Sequence, residues 1–264
     1  MKYTVLTLFP EITNAFFDTS IMAKAIQRGI IEYRAINIRD YAFDRHKTCD
    51  DAPYGGGPGM LMLPEPLGRA LEAAGAVKKG GGRLFADNNG VPRVMYLSPS
   101  GRPFDQHLAR ELAAEQELVL VCGRYEGIDQ RIIDLYIDDE VSVGDYVLSS
   151  GEVAALAVID ATYRLVDQVI TAESLHEESF SGGLLEYPQY TRPEVYDTIK
   201  VPEVLLSGHH ERIRRWRLER RVEKTLRQRP DLIRRGKEYG YFNREIEKII
   251  DSEVEGDKTT NERD

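Results

Sequence analysis

Two glycine-bearing loops in the middle of the chain carry the pattern best suited to chemistry. The first covers residues 122–129 (CGRYEGID) and the second covers residues 141–152 (VSVGDYVLSSGE), and an apolar run leads into each. Glycine lets a backbone approach a ligand closely, so two such loops at strand ends can form a pocket lined by N–H and C=O groups. Neither loop contains lysine or a Gly-Lys-Ser/Thr sequence, so a phosphate cradle of the P-loop type is not indicated. The loops therefore predict a small ligand that is bound largely by backbone.

A second candidate for chemistry is the acidic pair Glu177-Glu178, which precedes Ser179-Phe180 in a polar segment rich in small residues. Most acidic pairs are only solvated. On a linker that folds over a pocket, however, one carboxylate could act as a general base, because a neighbouring like charge raises its proton affinity. The residues alone leave both interpretations open.

Other reactive groups are scarce. The five histidines show no metal-ligand spacing, and the sequence contains no G-x-S-x-G motif. The two cysteines, Cys49 and Cys122, have no CxxC partner. We therefore expect no structural transition metal, no serine-hydrolase site of that type and no disulfide framework.

The distribution of charge limits the classes of partner that the protein can bind. The net charge of −9 argues against a protein that coats nucleic acid indiscriminately, although an arginine-rich stretch runs from Arg212 to Arg235. Such a stretch is either a docking surface for a polyanion or a solvated helix face with i,i+4 ion pairs. The sequence has no apolar run near the roughly 18 residues that a membrane helix needs, and it starts with a strand pattern rather than a leader. We expect no membrane partner and a cytoplasmic location.

The elements that must position the loops alternate along the first part of the chain. This alternation predicts an α/β fold whose parallel sheet has helices on both faces. Ligands bind outside the carboxyl ends of parallel strands, so the loops after residues 97, 121 and 143 are predicted to meet at one site. The predicted strands cover residues 3–8, 31–38, 94–97, 118–121 and 140–143, and the predicted helices cover residues 11–27, 64–74, 105–114 and 151–166.

The pattern changes after this region. We predict a first domain over residues 1–168, a linker over 169–182, a mostly helical C-terminal domain over 183–250 and a disordered polar tail over 251–264. In the C-terminal domain Leu218, Val222 and Leu226 recur at i+4 and predict one apolar stripe on a helix.

Five motifs in the same order resemble the bacterial tRNA (guanine-N1)-methyltransferases of the SPOUT superfamily. The resemblance runs from Leu8 to about Asp231. It implies a deep trefoil knot in the C-terminal part of the first domain, which nothing in the periodicity indicates. It also implies an obligate homodimer with active sites shared between subunits. The motifs are residues 50–60 (DDAPYGGGPGM), 122–129 (CGRYEGID), 144–148 (GDYVL), 190–193 (YTRP) and 204–208 (VLLSG).

The resemblance also implies the reaction, namely methyl transfer from S-adenosylmethionine to N1 of the guanosine immediately 3′ of the anticodon in tRNA. With the arginine-rich stretch, it assigns tRNA contacts to Asp50, Gly59, Arg192, Arg214 and Arg215. The residues that it assigns to the cofactor are Tyr96, Leu97, Ser98, Pro99, Gly123, Tyr125, Glu126, Gly127, Val143, Gly144, Tyr146, Leu148 and Gly151.

Guanine N1 carries a proton at neutral pH, so its lone pair becomes available only after deprotonation, and a carboxylate base suits that step. The family has an aspartate immediately before Ser-Phe, and Glu178 occupies that position here. Because glutamate is one methylene longer, the base stays open between Glu178 and Glu177. Arg164 matches the arginine that steadies the guanine as charge develops. The family also implies magnesium, for which the sequence assigns no site.

Two further departures stand beside Glu178. Ser150 stands where the family commonly has the first of two glycines, and residues 80–92 form a longer, glycine-rich segment that we expect to be a surface insertion. Two alternatives therefore stay open. One is another SPOUT reaction, such as ribose 2′-O-methylation, and the other is a catalytically inactive RNA-binding relative.

Overall fold

The computed structural model describes residues 1–79, 90–171 and 178–261, with side chains as far as Glu255. The chain divides into two compact units, Met1–Ile170 and Thr171–Asp264. The roles that we assigned to the predicted domains stay predictions. None of the helices in the described ranges is long and apolar enough to cross a membrane.

The first unit is built on a five-stranded sheet with the order β2-β1-β6-β5-β7, in which all neighbouring strands are parallel. This confirms the predicted α/β class and parallel sheet, while the knot stays a prediction. The sheet strands are β1 (Lys2–Thr7), β2 (Glu32–Asn37), β5 (Arg93–Pro103), β6 (Glu117–Cys122) and β7 (Asp139–Ser142), and β3 (Asp50–Asp51) and β4 (Leu61–Met62) form a separate antiparallel ladder.

Helices cover both faces of this sheet. On β6, Val119 and Val121 belong to one buried cluster, whereas Leu118 and Leu120 belong to the other, as the alternation of side chains along a strand requires. The first cluster includes residues of α3 and α5, and the second includes residues of α1, α2, α4 and α6. These helices are α1 (Pro10–Phe17), α2 (Ser20–Gln27), α3 (Pro64–Ala73), α4 (Gln106–Ala113), α5 (Gln130–Tyr136) and α6 (Gly151–Tyr163).

The single helix expected over residues 11–27 is wrong, because the chain turns between α1 and α2. Thr19 has an extended backbone, with a φ of −123°. Ser20 then has a positive φ of 57°. The Thr19 hydroxyl donates to the carbonyl oxygen of Phe16 at 3.1 Å, which satisfies an acceptor at the end of α1. The apolar period continues across this break, so the pattern alone gave no sign of it.

The second unit is mostly helical, with a short hairpin near its start. Val222 is fully buried and Leu218 and Leu226 pack against the same cluster, which confirms the predicted apolar stripe. The elements are β8 (Val195–Tyr196), β9 (Ile199–Lys200), α7 (Glu203–Leu206), α8 (His210–Gln228), α9 (Pro230–Glu238) and α10 (Arg244–Asn261).

The last helix corrects the expected start of the polar tail. We expected disorder from residue 251, but α10 continues to Asn261. Ile250 is 1% exposed, and Ile246 and Ile249 pack against the same cluster, so the helix has an apolar anchor immediately before the polar residues. No proline interrupts residues 251–261, and a helix can therefore extend into this polar sequence.

Candidate cofactor pocket

A pocket lies at the carboxyl ends of β5, β6 and β7, where the sequence predicted that three loops meet. At this end β5 changes register against β7 between Leu97 and Arg102. The irregular residues between them bring Ser98 and Pro99 to the pocket wall. The segments after β6 and β7 form the other walls, and α6 begins in the pocket at Gly151.

Every residue that the resemblance assigned to the cofactor lines this one pocket. The other residues of its wall are Arg124, Val141, Ser142, Val147, Ser149, Ser150 and Ala154. Of all these lining residues, Arg124 and Glu126 are the ones that carry charge, so most of the wall is neutral. A small molecule with a large uncharged part suits such a lining.

Three pocket glycines are required by close contacts. A Cβ atom on Gly151 would lie 2.7 Å from the Gly123 nitrogen and 2.8 Å from Cys122 Cα, which are both backbone atoms. A Cβ atom on Gly123 would lie 2.8 Å from Tyr96 Cε2. On Gly144 it would lie 2.4 Å from Tyr146 Cε1. The absent side chains let the loops pack closely together.

Hydrogen bonds hold these loops in place. The Gly151 N–H donates to the Gly123 carbonyl oxygen at 2.9 Å, which joins the start of α6 to the loop after β6. In the loop after β7, the Ser142 hydroxyl donates to the Gly144 carbonyl oxygen at 3.0 Å, and the Tyr146 hydroxyl donates to the Val143 carbonyl oxygen at 3.2 Å. The pocket wall is therefore preorganised by hydrogen bonds within and between its loops.

Ser150, one of the departures from the family pattern, is accommodated without strain. Its φ is −165° and its ψ is 155°, an extended conformation that any residue adopts. The serine therefore gives no conformational reason to expect a distorted pocket.

Burial decides the protonation of two groups at the site. It raises the pKa of the Cys122 thiol well above its ordinary value, so the thiol stays protonated and is not a nucleophile. Burial likewise raises the pKa of the Tyr96 phenol, which packs against Gly123. Both groups are neutral at physiological pH, Tyr96 in the pocket wall and Cys122 buried at the end of β6 beside it.

The loop that precedes β4 also reaches the pocket residues. The Glu126 N–H donates to the Met60 carbonyl oxygen at 3.0 Å. Gly59 has a φ of +84°, and a Cβ atom there would lie 2.3 Å from Glu126 Cγ. Burial and the hydrogen bond to Asp50 raise the pKa of the Tyr125 hydroxyl. The structure therefore places Asp50 and Gly59, which we assigned to tRNA, beside two residues assigned to the cofactor.

The residues assigned to catalysis lie on different elements. Arg164 is the C-terminal cap residue of α6 and is partly buried. Glu178 belongs to the second unit, is also partly buried, and accepts a hydrogen bond from the Ser181 N–H through its carbonyl oxygen at 3.1 Å. Glu177, the alternative base, lies outside the described residues, as do residues 80–89 of the expected surface insertion.

The arginines assigned to tRNA are exposed, and two of them have acidic partners. Arg214 pairs with Glu211 and Glu245, at 2.8 Å in each case. Arg215 pairs with Glu219 at 2.9 Å. Arg192 lies in an exposed segment of the second unit. Both interpretations of the arginine-rich stretch therefore remain, because an exposed ion pair is weak enough for a phosphate to replace its carboxylate.

Two polar residues at the pocket were missed from the sequence. Arg124 lines the wall, and its Nε lies 3.3 Å from Oε2 of Glu152. Glu152 is fully buried. Both belong to the quoted loops, but a charged residue in a motif gives no sign of burial. The contact with Thr7, 145 residues earlier, is a tertiary feature that no local pattern reports.

Among the described side chains, no group of three or more His, Cys, Asp or Glu residues is arranged to hold a metal ion. Magnesium therefore stays an implication of the resemblance, with no site assigned to it.

Comparison with known proteins gives the family. The family model described as tRNA (Guanine-1)-methyltransferase TrmD matches residues 1–235. A Treponema denticola protein named tRNA (guanine-N(1)-)-methyltransferase is 61% identical over 250 residues, covering 95% of this chain and 98% of the relative. Proteins of the same name from Treponema pallidum and Borrelia duttonii are 56% and 55% identical, covering 95% and 88% of this chain and 95% and 92% of the relatives. The chain belongs to the tRNA (guanine-1)-methyltransferase family.

Proposed function

We propose that this protein transfers a methyl group from S-adenosylmethionine to N1 of the guanosine immediately 3′ of the anticodon in tRNA. The observation that carries the proposal is the pocket at the carboxyl ends of β5, β6 and β7. This chain belongs to the family, and every residue that the resemblance assigned to the cofactor lines that pocket. The reaction and the RNA class follow from the family, and the exact nucleoside follows from the resemblance of the motifs.

The residues of the pocket suit this cofactor. Gly123, Gly144 and Gly151 add no side chain to the wall, and Leu97 and Leu148 offer apolar contact to an adenosine moiety. When bound, S-adenosylmethionine supplies a methyl group made electrophilic by a sulfonium. A larger side chain at Gly151 has no room, because its Cβ would meet backbone atoms of Gly123 and Cys122.

We assign the proton transfer to Glu178 and the charge stabilisation to Arg164. Glu178 would accept the proton from guanine N1, and the freed lone pair would attack the methyl carbon of bound S-adenosylmethionine. As the N–CH3 bond forms, the S–CH3 bond would break with its electron pair going to sulfur, and the neutral thioether S-adenosylhomocysteine would leave. Arg164 offsets the negative charge that develops on the guanine, a role that suits a fixed, permanently charged guanidinium. Glu178 is followed by a turn in which Phe180 has a φ of 71°, and the Ser179 hydroxyl oxygen accepts from the Glu186 N–H at 3.1 Å.

We further propose that the protein acts as a homodimer in which Glu178 of one subunit serves the pocket of the other, and that the reaction takes place in the cytoplasm. For tRNA contacts we retain Asp50, Gly59, Arg192, Arg214 and Arg215. Two observations support Asp50 and Gly59: Asp50 forms a hydrogen bond with Tyr125, and the Gly59 backbone lies close to the Glu126 side chain.

The test is methyl transfer from labelled S-adenosylmethionine to an unmodified tRNA transcript with guanosine 3′ of the anticodon, with the product nucleoside identified by mass spectrometry. We expect 1-methylguanosine at that position. A matched transcript with adenosine in its place is the control and should accept no label. Recovery of a ribose 2′-O-methylated nucleoside would assign another SPOUT reaction. Absence of transfer with S-adenosylmethionine bound would favour the inactive RNA-binding relative.

A further inference from the structure

One cation in the pocket has donors that the protein does not use. The Arg124 side chain lines the wall and is 22% exposed. Its Nε lies 3.3 Å from Glu152 Oε2, and its guanidinium carbon lies 4.4 Å from the centroid of the Phe9 ring. Among the described residues, no group accepts a hydrogen bond from the two terminal amino groups of this guanidinium. The guanidinium is thus held through its Nε and through the plane that stacks on Phe9, and its two terminal amino groups are left for a ligand.

Glu152 provides the inner contact from a fully buried position in the first turn of α6. Its Oε1 accepts a hydrogen bond from the Thr7 hydroxyl at 2.6 Å. The Thr7 oxygen in turn accepts from the Phe9 N–H at 2.9 Å. One carboxylate therefore connects the end of β1, the loop after β6 and the start of α6.

A buried carboxylate carries a large desolvation cost, and a well-packed apolar side chain in its place is often as stable or more stable. Stability alone therefore does not account for Glu152. The charge has a specific partner, because Oε2 faces the Nε of Arg124 and neither atom has a hydrogen-bond partner in the described part of the chain. The arrangement suits a carboxylate that orients an arginine.

We propose that Glu152 is a positioning residue that holds Arg124 as an oxyanion-binding fork in the pocket. The inference rests on the proposed function, since S-adenosylmethionine carries a carboxylate and RNA carries phosphates. Arginine binds either oxyanion through two parallel N–H donors, and the geometry of that fork matters as much as its charge. Of the pocket's two charged lining residues, Arg124 is the cation.

The variant Glu152→Gln tests the inference, because glutamine keeps the shape and an oxygen for Thr7 but removes the charge that faces Arg124. Its matched control is Glu117→Gln. Glu117 also accepts from a β1 threonine, Thr4, at 3.2 Å and pairs with a cation, Lys2, at 2.9 Å, but it lies at the opposite end of β6. Arg124→Gln is the second variant, and it removes the proposed fork itself.

Three affinities are measured for each variant: those for S-adenosylmethionine and for 5′-methylthioadenosine, which lacks the carboxylate, by calorimetric titration, and that for a tRNA transcript. If the cofactor supplies the oxyanion, Glu152→Gln and Arg124→Gln should each weaken the binding of S-adenosylmethionine about tenfold or more, the scale of a lost charge-assisted hydrogen bond, and should leave the affinity for 5′-methylthioadenosine unchanged. If RNA supplies the oxyanion, both variants should weaken tRNA binding and leave the affinities for both small ligands unchanged. Glu117→Gln should change none of these.

Wild-type affinities in both variants would overturn the inference. Equal loss of affinity for the two small ligands would also overturn it, because general damage to the pocket gives that result. If Glu152→Gln fails to fold, Arg124→Gln still tests the fork by the same affinities, because Arg124 lies at the pocket wall. Wild-type protein that binds S-adenosylmethionine but does not methylate tRNA contradicts the proposed function alone, since the affinity pattern of the variants is measured without turnover.

Discussion

The cofactor pocket and the arginine-rich helix α8 are both assigned to binding, yet they are built in opposite ways. The pocket is defined by backbone approaches, such as the 2.9 Å hydrogen bond from Gly151 to Gly123, and most of its wall is neutral. On α8, Arg214 and Arg215 are exposed and already paired with carboxylates. Packing at backbone distance tolerates little change, whereas exposed charges exchange partners readily. Substitutions should therefore act sharply in the pocket and gradually on α8.

The largest effect is expected outside both regions, at the proposed base. Glu178→Gln removes the proton acceptor and changes neither the pocket wall nor α8. We expect turnover to fall by roughly 10²–10⁴-fold, the usual contribution of general base catalysis, with an unchanged Kd for S-adenosylmethionine. Single-turnover methylation and calorimetry on the same preparation measure the two quantities.

The matched control for that experiment is Glu186→Gln, a partly buried acid of the same unit whose N–H donates to Ser179. It should retain wild-type turnover, because the backbone hydrogen bond does not depend on the side chain. Turnover close to wild type in Glu178→Gln would move the base to Glu177 or elsewhere.

The variant Gly151→Ala tests whether the close backbone packing in the pocket is needed for cofactor binding. The added Cβ would meet backbone atoms of Cys122 and Gly123 at 2.8 and 2.7 Å, and a backbone cannot rotate away as a side chain can. Overpacking of this kind costs about 1–3 kcal/mol, so we expect S-adenosylmethionine binding to weaken about tenfold to a hundredfold. Calorimetry measures the Kd and thermal unfolding measures the stability.

Gly68→Ala is the control glycine substitution. Gly68 lies inside α3, and a Cβ there would lie 3.5 Å from Ile132 Cδ1, an ordinary contact. Alanine is a better helix former than glycine, so this variant should bind the cofactor normally and be slightly more stable. If the two alanine variants bound S-adenosylmethionine with the same Kd, the close backbone approach at Gly151 would not be required for cofactor binding.

The pocket also illustrates which features of the structure can be predicted from the sequence. Strand-like segments of four to eight residues between helix-like segments were enough to predict all five sheet strands and the edge where the loops meet, because strand burial is a local, periodic property. The reason for glycine at position 151 is different, since it depends on a backbone segment after β6. The burial of Glu152 depends on Thr7, 145 residues away. The turn between α1 and α2 was missed because Ser20 adopts a positive φ that its residue type does not favour.

On α8, the double variant Arg214→Ala/Arg215→Ala separates the two interpretations of the arginines. If both side chains contact phosphates, tRNA binding should weaken and the slope of log Kd against log salt should fall by about one to two, because each phosphate contact contributes roughly 0.7–0.9. Filter binding over a salt series measures this slope. Arg110→Ala, an exposed arginine in the last turn of α4, is the control. An unchanged slope in the double variant would return the pair to the role of a solvated, ion-paired helix face.

The smallest effect concerns the ion pairs themselves and their pH dependence. Arg214 lowers the pKa of Glu211 and of Glu245, mainly through side-chain hydrogen bonds. A carboxylate whose pKa is lowered by folding stabilises the folded state above its unfolded pKa, and this contribution is lost as the pH falls through the folded value. The stability difference between wild type and Arg214→Ala should therefore be small and positive near pH 7 and should shrink as the pH falls below roughly 4. Urea unfolding across this range measures it, and a difference that persists in acid would show that Arg214 stabilises α8 by packing rather than by charge.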